Sequence, residues 1–136
     1  MQLLVIDSSI TVAWFIPEER TAETQIVFDR VIEDGAIVPN HWSLEVGNAL
    51  LIALRRHRLS ARQRRDALDQ LVALQLTTET VDRAWAETLE LAERFRLTLY
   101  DACYLELALR RGLPLASLDM DLRAAADRLN VPVFGL

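Results

Sequence analysis

The chain opens on Gln2-Leu3-Leu4-Val5-Ile6-Asp7, a short apolar run that stops at an acid. A run without polar alternation suits a strand of a parallel sheet covered on both faces. Ala36-Ile37-Val38-Pro39 and Leu113 to Leu118 have the same character, and the second again stops at an acid, Asp119. Thr77 to Val81 reads as a weaker strand and Val131 to Phe134 as a closing one. Between these runs the apolar positions shift to a spacing of three and four, the helical period. One helix opens at Ser8 or Ser9, either of which can cap it, and runs through Val12, Ala13, Trp14 and Phe15 to stop before Pro17. Thr21 opens another, with Ile26, Val27 and Val31 inward and Gly35 as its stop. A helix from Trp42-Ser43 to about His57 is apolar on most sides, which predicts burial. Ser60-Ala61-Arg62-Gln63 has the S-x-x-Q capping-box pattern and starts the next, with Ala67, Leu68, Leu71 and Val72 as its apolar positions. No strand separates these two, so residues 42–75 predict a helical hairpin. Val81, Ala84, Trp85, Thr88, Leu91, Ala92 and Phe95 recur at clean helical spacing. A helix starting near Asp101 stops at Arg111-Gly112, and a last one, capped by Asp119 or Asp121, carries Ala124, Ala125 and Leu129. Alternating strands and helices predict one α/β domain over residues 1–136, with a central, mainly parallel sheet flanked by helices.

Composition narrows the classes. The chain has 136 residues, 51% of them hydrophobic, and a formal net charge of −5. That length and apolar content support a core without staples and exclude a disordered chain. No apolar stretch reaches about 18 residues, so no membrane span is expected. With no basic leader and no small-residue cleavage site after Met1, the expected compartment is cytoplasmic. The single cysteine, Cys103, excludes an internal disulfide and a cysteine-based zinc site. All 15 basic residues are arginine, so no lysine chemistry is available. The acidity argues against nonspecific coating of nucleic acid. It leaves a nuclease open, because an acidic metal site itself lowers the charge.

Four acids stand apart from the plausible solvent faces. Asp7 and Asp119 follow apolar strands, Glu45 lies in the first turns of an apolar helix, and Asp101 sits between Tyr100 and Ala102-Cys103-Tyr104-Leu105. Ligands of an open parallel sheet bind outside the carboxyl ends of its strands, where the following helices also begin. All four acids can therefore converge on one edge. Helix capping or a helix dipole explains each acid singly, but requires four coincidences at one place. At about 5 Å and an effective dielectric near 20, each ionised pair costs on the order of 3 kcal/mol, so such a cluster protonates in part or binds a cation. Oxygen ligands alone favour hard ions, Mg²⁺ or Mn²⁺, which activate water and clamp a phosphodiester. Asn48, one turn after Glu45, can bond a carboxylate or be a buried, satisfied amide. Ser8, Ser9 and Ser117 are candidate donors or caps, and Asp121 is an outer ligand or a cap. Gly47, inside a helix, implies close approach of another helix or of a substrate backbone.

At these residues a family resemblance emerges. Val5-Ile6-Asp7-Ser8-Ser9, Glu45-Val46-Gly47-Asn48-Ala49-Leu50, Leu97-Thr98-Leu99-Tyr100-Asp101-Ala102 and Leu115-Ala116-Ser117-Leu118-Asp119-Met120-Asp121-Leu122 resemble, in order, the PIN-domain family. Within it the chain is similar to VapC-type toxins of bacterial type II toxin–antitoxin pairs, and Trp14-Phe15-Ile16-Pro17-Glu18-Glu19 adds to the likeness. The resemblance implies a Mg²⁺-dependent endoribonuclease acting on structured RNA, often transfer or ribosomal RNA. It implies Asp7, Glu45, Asp101 and Asp119 as the catalytic metal-binding quartet. Ser117 stands where threonine is more usual. The expected partners are a cognate VapB-type antitoxin, RNA and a second copy of the chain. The alternative is a PIN-fold module that binds without cleaving.

Arg55, Arg56, Arg58, Arg62, Arg64 and Arg65 have no acid among them. Arg55, Arg56 and Arg58 are candidate contacts for RNA phosphates or for the antitoxin. The alternative is a solvated hairpin with Arg62–Asp66 and Arg65–Asp69 pairs. The tryptophans read as core or interface, and Tyr100 as a neighbour of the site. His41 and His57 look too isolated for a metal pair or a triad. A receiver or haloacid-dehalogenase-like module is disfavoured by the absence of lysine and by Ser9, where the phosphatase pattern wants a second acid.

Overall fold

A computed structural model describes residues 2–81 and 85–136. Its sheet has five strands, all parallel, in the order β3-β2-β1-β4-β5. They are β1 (Leu4–Ile6), β2 (Ala36–Pro39), β3 (Leu76–Glu79), β4 (Leu115–Ala116) and β5 (Val133–Phe134). Both central strands, β1 and β2, are buried at every position, as their unbroken apolar runs require. The helices are α1 (Ser8–Ala13), α2 (Ala22–Asp34), α3 (Trp42–Arg55), α4 (Ala61–Ala73), α5 (Trp85–Phe95), α6 (Leu99–Arg111) and α7 (Met120–Arg128). Sequence order runs outward from β1 through β2 to β3, then resumes on the other side with β4 and β5. The direction reverses between β1 and β4, the topological switch point at which open α/β sheets bind ligands.

Local signals set most boundaries. Thr21 and Ser60 both form full capping boxes, with Thr24 and Gln63. Gly35 closes α2 at φ +81°, and an added Cβ would lie 2.8 Å from the Gln75 carbonyl oxygen. Only glycine lets β2 and β3 begin that close together. Glu79, at the end of β3, is tied to α6 by Arg110 at 2.8 Å and Arg111 at 3.0 Å, and Arg110 also holds the buried Glu106.

Other expectations are corrected. Asp7 itself caps α1, accepting from the Ile10 amide, so neither Ser8 nor Ser9 is the cap. Thr98 caps α6 by accepting from the Asp101 amide, and Asp119 rather than Asp121 caps α7. The apolar surround of α3 is not buried: it seats Trp42, Val46, Leu50 and Ala53 inward but leaves Leu44 76% exposed. Ile26 on α2 and Leu68 and Val72 on α4 also face outward. Trp14 and Trp42 are core residues, whereas Trp85 is 62% exposed. Gly47 has open space where a Cβ would stand, so no helix packs on it. Ala84, part of the periodic stretch ahead of α5, lies outside the described residues.

Candidate active site

The carboxyl ends of the paired strands β1 and β4 lie side by side and build the site. Asp7 follows β1 directly and is almost fully buried. Its Oδ1 accepts from the Ser9 hydroxyl at 2.7 Å and the Ile10 amide at 3.0 Å. Its Oδ2 accepts from the Ser117 hydroxyl at 2.5 Å. Each serine also accepts a backbone amide from the turn after β4: Leu118 donates to Ser9 and Asp119 to Ser117. The two hydroxyls thereby fasten the end of β1 to the end of β4 and hold Asp7 in a single orientation. Burial pushes the Asp7 carboxyl up to about 6, against the lowering effect of these donors. The charge of Asp101 raises it further.

Asp101 lies in the first turn of α6, half-buried. Its carboxyl is raised first by burial, then by the charges of Asp119 and Glu45. Asp101 therefore interacts electrostatically with each of the other three acids, and the structure brings the expected quartet to one edge of the sheet. Asp119 turns one oxygen back to cap α7, accepting from the Leu122 amide at 2.9 Å.

Glu45 is partly exposed on the first turns of α3. Tyr104 donates its hydroxyl to Glu45 Oε1 at 2.6 Å, and His41 Nε2 lies 3.4 Å from the same oxygen. Burial raises the Glu45 carboxyl, but the donors His41 and Tyr104 outweigh it and leave it below its usual value. Burial and the bond to Glu45 raise the Tyr104 phenol, which stays protonated and donating. His41 stands beside the acids, with its ring packed on Tyr100 and Tyr104. His41, Tyr104 and Ser9 contact the quartet directly, and helical spacing carried the signal for two of them. His41 is one turn before Glu45, and Tyr104 is three residues after Asp101.

The remaining candidates are more peripheral. Ser8 lines a shallow pocket of about 280 Å³ with Ser9, Arg56 and Arg58, floored by Val12, Ala49 and Ile52. Asn48 is exposed, not a buried amide. Asp121 is exposed and lines a separate groove with Arg96 and Arg128. Arg58 is engaged by Glu18 at 2.7 Å and Glu19 at 2.8 Å, while Arg55 and Arg56 point into solvent from the end of α3. Among the described residues, neither Arg62–Asp66 nor Arg65–Asp69 forms an ion pair.

The donor chemistry, carboxylate oxygens with no thiolate, suits a hard divalent cation. Among the described residues the carboxylates are not drawn together to ligating distance. A parallel α/β sheet with acids gathered at its switch point defines the chain as an acid-centred α/β protein. The PIN-domain family model matches residues 4–128, and the chain belongs to that family. No curated protein matches it in sequence. Among solved structures it is similar to PAE2754 from Pyrobaculum aerophilum, with 22% identity and a TM-score of 0.68 over 97% of this chain and 83% of that one. It is also similar to VapC20 (Rv2549c) of Mycobacterium tuberculosis, a sarcin-ricin loop cleaving toxin, with 17% identity and a TM-score of 0.62 over 90% and 94% of the two chains. These likenesses establish the shared fold. Among the described residues no helix is long and apolar enough to cross a membrane.

Proposed function

We propose that this protein is a metal-dependent endoribonuclease and the toxin of a VapB–VapC type pair. The observation that carries the reading is the electrostatic meeting of Asp7, Glu45, Asp101 and Asp119 at the carboxyl ends of β1 and β4 in a PIN domain. Asp7, Asp101, Asp119 and Glu45 would hold Mg²⁺, with Mn²⁺ able to substitute. Such an ion supplies charge neutralisation at the scissile phosphate and a more acidic attacking water. The chain's own residues do the rest. Ser9 and Ser117 fix Asp7, burial keeps bulk water from its carboxylate, and the first turn of α6 holds Asp101 half-buried beside it. Hydrolysis in this sense leaves 5′-phosphate and 3′-hydroxyl ends. The sarcin-ricin loop cleaving activity of the VapC20 neighbour supports ribosomal RNA as a substrate. The proposal also takes in transfer RNA as the other candidate substrate, a VapB-type antitoxin as the inhibitor, a cytoplasmic location and a homodimer. Arg55 and Arg56, free of acidic partners among the described residues, are the arginines proposed to meet RNA phosphates or the antitoxin.

The test is incubation of the pure protein with total bacterial RNA, with Mg²⁺ or with EDTA, beside Asp7→Asn, and mapping of new 5′ ends. Discrete ends that require both Mg²⁺ and Asp7 support the reading. Cleavage that persists in Asp7→Asn refutes the assignment of the site. No cleavage, together with RNA or protein binding, favours the non-catalytic module.

A further inference from the structure

Glu45 is held by one oxygen only. Both donors, the Tyr104 hydroxyl and His41 Nε2, approach Oε1, and no described residue donates to Oε2. The second neighbour of His41 Nε2 is the Tyr100 carbonyl oxygen at 3.1 Å. A carbonyl only accepts, so Nε2 carries the proton it donates there, and its positive edge lies against Glu45 Oε1. The cluster joins two helices that contribute different acids. His41 precedes and Glu45 lies within α3, whereas Tyr100 and Tyr104 flank Asp101 on α6. The Tyr104 side chain is fully buried, and its ring stands edge-on to His41 at 5.1 Å. Packing therefore fixes the donor before any ligand arrives, at small entropic cost. The same side chain that clamps Glu45 lies one turn beyond Asp101, so the separation of these two acids is set by a rigid aromatic group rather than by flexible side chains.

We propose that Tyr104, supported by His41, is the positioning residue of Glu45: it immobilises Oε1 and presents Oε2 as the oxygen offered to a divalent cation. The proposal rests on the nuclease reading of the site. Groups that orient a metal-binding carboxylate typically change affinity or activity about 10- to 100-fold when removed.

The experiment titrates Mn²⁺ alone, without RNA, into the full chain and follows the electron paramagnetic resonance of the free ion. Tyr104→Phe keeps the ring and removes only the donor. The expected result is about 10-fold weaker Mn²⁺ binding with a cooperative melt close to that of the parent, and no further weakening when Tyr104→Phe is added to Glu45→Gln. Should Tyr104→Phe lose its cooperative melt, His41→Phe, at a partly exposed position, carries the same comparison. Parent-like Mn²⁺ affinity in Tyr104→Phe overturns the positioning role and leaves the nuclease reading standing. Equal weakening in the Glu45→Gln background also overturns it, because the effect then bypasses Glu45. A parent protein that binds no Mn²⁺ overturns both.

Discussion

Replacing Asp7 by asparagine should stabilise the fold at neutral pH while it removes the proposed activity. The folded-state value of about 6, against an ordinary 3.8, means that the native state holds its proton more tightly than the unfolded chain. The stability this proton confers is complete below the ordinary value and is lost as pH rises through about 6. The difference converts to roughly 3 kcal/mol of native-state destabilisation by neutral pH. Asparagine is neutral throughout, nearly isosteric, and can still accept from Ser9 and the Ile10 amide at Oδ1. Its amide faces the Ser117 hydroxyl, which must turn from donor to acceptor, so about 1–3 kcal/mol of the gain should survive. For 136 residues this corresponds to a rise in Tm of about 3–10 °C. Urea unfolding of both proteins in EDTA, from about pH 4 to about pH 8, measures it. The variant's advantage should be near zero at the acidic end and grow through about pH 6, in the window set by Asp7. A difference that does not vary with pH, or a variant less stable at the alkaline end, would refute the assignment of a buried, proton-retaining Asp7.

Other perturbations separate the remaining parts. Ser117→Ala removes the donor to Asp7 and the acceptor for the Asp119 amide, so cleavage should fall about 10- to 100-fold; its pH profile should shift upward, because a donor that lowers the Asp7 value is gone. Gly35→Ala places a Cβ against the Gln75 carbonyl at positive φ and should cost about 2 kcal/mol or more in urea unfolding, whereas Gly112→Ala, with open space, should cost about 1. Arg55→Gln with Arg56→Gln should reduce the slope of log affinity for RNA against log salt by about 2, while Arg58→Gln, already held by Glu18 and Glu19, should leave it nearly unchanged.

The legible parts were those decided locally. Unbroken apolar runs ending at Asp7 and Asp119 mark β1 and β4, and the switch-point rule puts both acids at the same edge of the sheet. The capping boxes at Thr21 and Ser60 and the glycine stop at Gly35 needed only neighbours three or four residues away. What stayed hidden depended on partners far along the chain. Tyr104 and Glu45 are 59 positions apart, as are His41 and Tyr100, so neither contact is readable from one helix alone. The cap of α1 is ambiguous in the sequence because three consecutive oxygens, on Asp7, Ser8 and Ser9, all suit an N-terminus. The bond from Ser9 to the β4 turn decided between them. Leu44, Val72 and Trp85 are apolar yet exposed, which reflects what packs beside them rather than what they are.

The central claim is that the β1/β4 acids cleave RNA, and Asp101→Asn tests it most directly. Asp101 interacts with all three other acids, and it is far less buried than Asp7, so its substitution disturbs the fold less than that of Asp7. The account predicts Mg²⁺-dependent, discrete RNA cleavage by the parent protein and none by a folded Asp101→Asn protein of equal purity. Full cleavage by that variant would contradict it.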